Sequence, residues 1–135
     1  MNAKEFLQQY AEAERIAARY KAEYIKEVEL IDAIRSSLGD NEPRGGGISK
    51  QTEKKGISLA ESWALYEEAE YEALRIKRPI LKVVNSIPGE CGSVLYERYI
   101  NLRKWKDVAL AVGYSERQCY NIHNKALDMV EEMME

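Results

Sequence analysis

The stretch from Leu95 to Leu127, LYERYINLRKWKDVALAVGYSERQCYNIHNKAL, decides the fold. Ser93 to Ile100 (SVLYERYI) reads as a short helix, Asn101 to Lys104 as a turn, and Trp105 to Val112 (WKDVALAV) as a second short helix. Gly113 and Tyr114 turn the chain again, and Ser115 opens the last helix. Ser115 and Gln118 stand three apart, so each can satisfy a backbone N–H that the first helical turn leaves without a partner. Within that helix Cys119, Ile122, Ala126, Leu127 and Val130 make a stripe at helical spacing. Two short helices about a tight glycine turn, the second well capped, form a helix-turn-helix.

Upstream the texture is different. Residues 3–38 read as one long helix, with Tyr10, Ala13, Ala17, Tyr20, Tyr24, Ile31, Ile34 and Leu38 at three-four spacing and Glu27 breaking the series. Gly39 stands where a C-cap glycine belongs. The segment 39–56, GDNEPRGGGISKQTEKKG, has no periodicity and reads as a flexible Gly/Pro-rich linker. A second long helix is expected over 57–87, capped by Ser58 with Glu61, its apolar face running Leu59, Trp63, Tyr66, Ala69, Ala73, Ile76, Ile80, Val84 and Ile87. Pro79 removes one backbone donor and crowds the preceding turn, so a kink or break is expected near Arg75 to Arg78. The organisation is therefore all-α: a long N-terminal helical hairpin or coiled coil joined to a helix-turn-helix module over 88–135. The long helices can cover each other's apolar faces or form the seam of a homodimer.

Composition bounds the function. The chain has 135 residues, 32% of them charged, with a net charge of −3. A nucleic-acid face must then be local, because the total supplies no basic footprint. It sits within Leu95 to Leu127, which carries +3 while the rest sums to −6. Nine Tyr against one Phe and two Trp suit half-wet helix packing. No apolar run exceeds Val108 to Val112, so neither a signal peptide nor a membrane span is expected. Two Cys in such a chain point to a reducing, cytoplasmic setting.

With Cys119, Ile122 and Ala126 inward, the outward positions of the last helix are Glu116, Arg117, Tyr120, Asn121 and Asn124. Arg117 can pair bidentately with guanine, Asn121 or Asn124 with adenine, and Glu116 can accept from cytosine. Arg103, Lys104 and Lys106, at the start of the helix that would cross the backbone, are the phosphate candidates, with Lys125 further along.

The order and spacing of Leu95, Arg98 and Tyr99, then Trp105, Val108 and Ala109, then Gly113-Tyr114-Ser115 and Ala126-Leu127 resemble region 4 of bacterial sigma factors. The match is gapless. With the long helices, the linker and the Ile87-Pro88 segment, the chain resembles the ArpU-type and RinA-type late-transcription regulators of phages and prophages of Gram-positive bacteria. That likeness is strong from Pro88 onward and architectural before it. It implies a DNA-binding activator of a phage gene cluster, and it leaves open a contact with RNA polymerase. It also places Glu116, Arg117 and Asn121 at base-reading positions. Tyr120 falls where the family often has a phosphate-contacting Arg.

Other features have plainer readings. Trp105 suits the module's core better than a stacking platform. His123 follows Cys119 by one turn, yet no further ligands lie nearby, and a packed imidazole is expected rather than a metal. Cys91 has no partner in sequence. The glycines at 45–47 lack the Gly-Lys-Ser/Thr ending of a phosphate loop. The closing Glu-rich run reads as a solvated helix end. One His, no paired catalytic cluster and no cofactor loop argue against an enzyme. Two alternatives stay open: a small terminase subunit of phage DNA packaging, whose usual order of DNA module and assembly helices is the reverse, and a polymerase-binding module that does not read DNA.

Overall fold

The computed structural model describes the backbone of residues 1–38 and 47–135 and the side chains of 1–37 and 58–135. It is all-α. Helix α1 spans Ala3–Leu38, α2 Gly47–Ser86 and α3 Gly89–Leu95, which continues into a π-helical turn over Tyr96–Ile100; α4 spans Trp105–Val112 and α5 Glu116–Met134. No described helix is long and apolar enough to cross a membrane.

Three boundaries differ from the sequence reading. Residues 39–46, with the expected Gly39 cap, lie outside the described residues, but the backbone from Gly47 is already helical, so α2 begins ten residues before the expected start at residue 57. Lys50, Gln51, Glu53, Lys54 and Lys55 are good helix formers, and Gly56 is tolerated inside the helix at about 1 kcal/mol. Ser58 is consequently not a cap. α2 also passes through Pro79 without a break. Pro79 and Arg75 are both exposed, so the Arg75 carbonyl that Pro79 leaves without a donor can be hydrated.

The third difference lies at α3, which starts at Gly89 rather than at Ser93. Two glycines make that start possible. Gly89 takes the left-handed φ of 65°. A Cβ at Gly92 would overlap the backbone carbonyl oxygen of Ile87, so only glycine lets α3 pass that close to the end of α2.

The chain forms two compact units, residues 1–13 with 72–135, and residues 14–71. The first is thus larger than the 88–135 module read from sequence. Its main core joins Ala3, Leu7 and Tyr10 of α1 to Ile80 and Val84 of α2, Leu95 of α3, Tyr99 of the π turn, and Ala126 and Val130 of α5. Leu7, outside the stripe read from sequence, is fully buried. The start of α1 is held further by α5, where the Glu131 carboxylate accepts from the Ala3 N–H at 2.8 Å. Glu131 therefore satisfies one of the open donors of α1 and favours the positive end of its dipole. The acidic tail is not only a solvated end.

In the second unit the described side chains bury little. Ala17 is buried, while Tyr20, Ile25, Leu30, Trp63 and Tyr71 are exposed. Tyr24, Trp63 and Tyr66 form an aromatic run with centroids 5.0 and 5.5 Å apart. Glu27, which interrupts the apolar series of α1, meets polar residues of α2. Its carboxylate accepts from the Ser62 hydroxyl at 2.7 Å and from the Ser58 hydroxyl at 3.3 Å. The polar position of α1 thus meets two hydroxyls of α2.

Candidate nucleic-acid interface

The helix-turn-helix is built on a small core of Val94, Val108, Ala109 and Cys119, flanked by Trp105, Val112 and Ile122. Gly113 ends α4 in the left-handed conformation, φ 80°, and its N–H donates to the Ala109 carbonyl. The Tyr114 hydroxyl donates to Glu90 of α3 at 2.6 Å, which fastens the turn and raises the Tyr114 pKa. Ser115 then caps α5 with both capping-box bonds in place: its hydroxyl accepts from the Gln118 N–H at 3.1 Å, and the Gln118 side chain accepts from the Ser115 N–H at 3.0 Å. The entry angle of α5 is thereby fixed from both sides of the turn.

On α5, Cys119, His123, Ala126 and Val130 are buried, while Glu116, Arg117, Tyr120, Asn121, Asn124 and Lys125 are all exposed. At 100° per residue Arg117, Tyr120, Asn121 and Asn124 share one outward face, with Glu116 at its edge. Asp128 continues that face and closes its cationic part toward the C-terminus. The fold thus brings together the residues read from sequence as base contacts.

The phosphate candidates divide. Lys104 is the N-cap residue of α4 and, like Lys106, is exposed. Arg103 is tied down, its Nε 2.9 Å from the Glu97 carboxylate, which also accepts from Asn101 at 3.0 Å. The pair is exposed on the Arg103 side, so a phosphate has to compete with Glu97 for it. Tyr120 leans on the Trp105 ring, centroids 4.8 Å apart.

The sequence reading missed the group that supports this surface. In a π-helical turn five residues rather than four separate the bonded groups, as between the Tyr96 carbonyl and the Asn101 N–H, and here Tyr99 and Ile100 are both buried. Tyr99 and His123 share a hydrogen bond of 2.6 Å between the hydroxyl and Nε2. Trp105 packs edge-on to His123 at 4.8 Å and carries the Arg98 guanidinium over its ring at 4.8 Å. Arg98 also donates to the Arg103 carbonyl at 2.8 Å, holding the 101–104 turn in which Leu102 has a positive φ of 55°. Trp105 is half-buried, so it is both core and the platform beneath Tyr120.

Burial, then the nearby Lys4 and Arg98 charges, pushes the His123 pKa down to about 4. The ring is neutral at physiological pH. Burial also raises Tyr99 and, with Glu116, the Cys119 thiol, which leaves that thiol protonated. No group of three or more His, Cys, Asp or Glu that could hold a metal ion occurs among the described residues.

Comparison with protein families, with curated proteins and with solved structures returns no match.

Proposed function

We propose that this chain is a sequence-specific transcriptional regulator that binds double-stranded DNA in the manner of sigma factor region 4, with α5 in the major groove. One observation carries the reading: a capped α5, held at a fixed turn from α4, presents Arg117, Asn121 and Asn124 on a single solvent face. Those side chains match the edges of guanine and adenine, and Glu116 matches cytosine. Lys104 and Lys106 at the start of α4, with Lys125 and the Tyr120 hydroxyl, contact phosphates and set the register. The likeness to the ArpU and RinA type makes the target a phage late promoter, the effect activation, the setting the host cytoplasm, and RNA polymerase a further partner. A homodimer through the long helices would double the contact surface. No enzymatic step and no cofactor belong to this reading.

A gel-shift assay on the phage late-promoter region, comparing the wild type with Arg117→Ala and Asn121→Ala, tests it. Each good base contact is worth roughly 1–3 kcal/mol of discrimination, so each variant should lose specific binding by about five-fold or more. Equal binding by all three proteins would refute the assigned face.

A second reading has one observation in its favour. An open groove of about 570 Å³, with Ile87, Tyr96, Ala111, Val112 and Tyr114 in its wall, includes no residue of α5. It offers a surface, with Glu90 and Glu97 also in its wall, where a protein such as polymerase could sit without engaging α5. Co-purification with polymerase together with a footprint showing no protection would select that reading. A packaging role would instead require a ring of many subunits, visible as a light-scattering mass.

A further inference from the structure

The segment 73–89, ALRIKRPILKVVNSIPG, holds four cations and no acid, although the chain as a whole is acidic. One of the four, Lys77, is half-buried with its ammonium 5.4 Å from the centre of the Tyr10 ring. The other three, Arg75, Arg78 and Lys82, are exposed. Their spacing of three and four residues puts them on one side of α2, opposite the buried Ala73, Ile80 and Val84. At 1.5 Å per residue the stripe is about 10 Å long. Asn85 extends it by another turn with a side-chain donor. Among the described residues Arg78 and Lys82 have no ion-pair partner, and Arg75 meets Glu72 at 3.1 Å in an exposed pair that a stronger anion can displace.

We propose that this face of α2 is a second DNA-contact surface, a row of cations that takes the phosphate backbone of a duplex outside the base pairs read by α5. The choice of duplex DNA as partner rests on the functional reading of α5. α2 and α5 belong to one compact unit and share one core. Within the helix-turn-helix Glu97 holds Arg103 and Trp105 carries Arg98, which leaves Lys104, Lys106, Arg117 and Lys125 as its exposed cations, and the α2 row adds three more. A row without interleaved acids fits a regular polyanion. Its outer face lacks the continuous apolar band that a helix lying in a membrane surface would need.

The test separates backbone attraction from base reading. Binding of a random-sequence duplex of about 30 base pairs is followed by fluorescence anisotropy between about 50 and 200 mM salt. It compares the wild type, the triple variant Arg75→Gln, Arg78→Gln, Lys82→Gln, and a charge-matched control, Arg19→Gln, Lys21→Gln, Arg35→Gln. Each neutralised phosphate contributes about 0.9 to the slope of log K against log salt. The stripe variant should therefore lose about 2 to 3 from that slope, with an unchanged circular dichroism spectrum, and the control should keep it. Equal slopes in the two triple variants, or no binding of the duplex by the wild type at the lowest salt, would overturn the proposal. So would stripe-dependent binding to phosphatidylserine vesicles without binding to duplex. Sequence selection with Arg117→Ala is the independent arm. A slope loss without any sequence preference keeps the stripe and removes the reading of α5, and a preference with an unchanged slope does the reverse.

Discussion

Acid should loosen the helix-turn-helix at a pH where an ordinary histidine would be harmless. His123 is 6% exposed, bonded to Tyr99 at 2.6 Å, covered by Trp105, and faced by Lys4 of α1 and Arg98 of the π turn. Burial first, and then the Lys4 and Arg98 charges, favour the neutral ring, and its pKa falls from 6.5 to about 4. Because the folded pKa lies below the unfolded one, the unfolded chain binds the proton first. The stability contributed by the neutral ring is full above 6.5 and is lost as pH falls toward 4. Linkage over the interval from pH 7 to pH 5 gives a loss of about 2 kcal/mol. Urea unfolding at those two pH values, for the wild type and for His123→Gln, isolates the effect, since other groups titrate equally in both. The wild type should lose about 2 kcal/mol more than the variant. Parallel losses would mean that the ring is not held neutral by this packing.

The remaining predictions address the frame around the site. Gly92→Ala should cost more than Gly113→Ala by thermal melting: the first overlaps the Ile87 carbonyl, whereas the second meets nothing within 4 Å and costs only the left-handed backbone, about 1–2 kcal/mol. Leu7→Ala empties a fully buried site and should lower stability by about 2–5 kcal/mol, with near-ultraviolet dichroism of the helix-turn-helix falling in the same transition. Ser62→Ala removes the shorter hydroxyl bond to Glu27 and should cost about 1 kcal/mol in urea unfolding, with the loss absent in a Glu27→Ala background.

Local chemistry was legible in the sequence. The capping pair Ser115 and Gln118, the Gly113 turn and the limits of α4 were readable because each depends on residues within one turn of one another. The outward face of α5 followed from helical period alone. What could not be read depends on residues far apart in the chain. Tyr99 and His123 are 24 positions apart, and the π turn that buries Ile100 as well as Tyr99 leaves no local sequence signal. The start of α2 is hidden for the opposite reason: a triple glycine is a strong local breaker signal, and the helix formers that follow it carry the helix back to Gly47.

A helix-turn-helix of this size has little interior of its own. The small cluster beneath the turn holds four buried residues, and the faces of α3 and α5 turned away from it still need cover. Small domains meet that need from outside the motif, since their surface-to-volume ratio leaves too little apolar area buried. Here the cover is the first three turns of α1 and the last four of α2, bound to α5 through Ala126, Val130 and the Glu131 contact. The outward face of α5 and the start of α1 therefore belong to one compact unit. Lys4 near His123 and the exposed cations of α2 are consequences of the same arrangement, because the segments recruited to complete the core also bring their charges to the surface of the unit that carries α5.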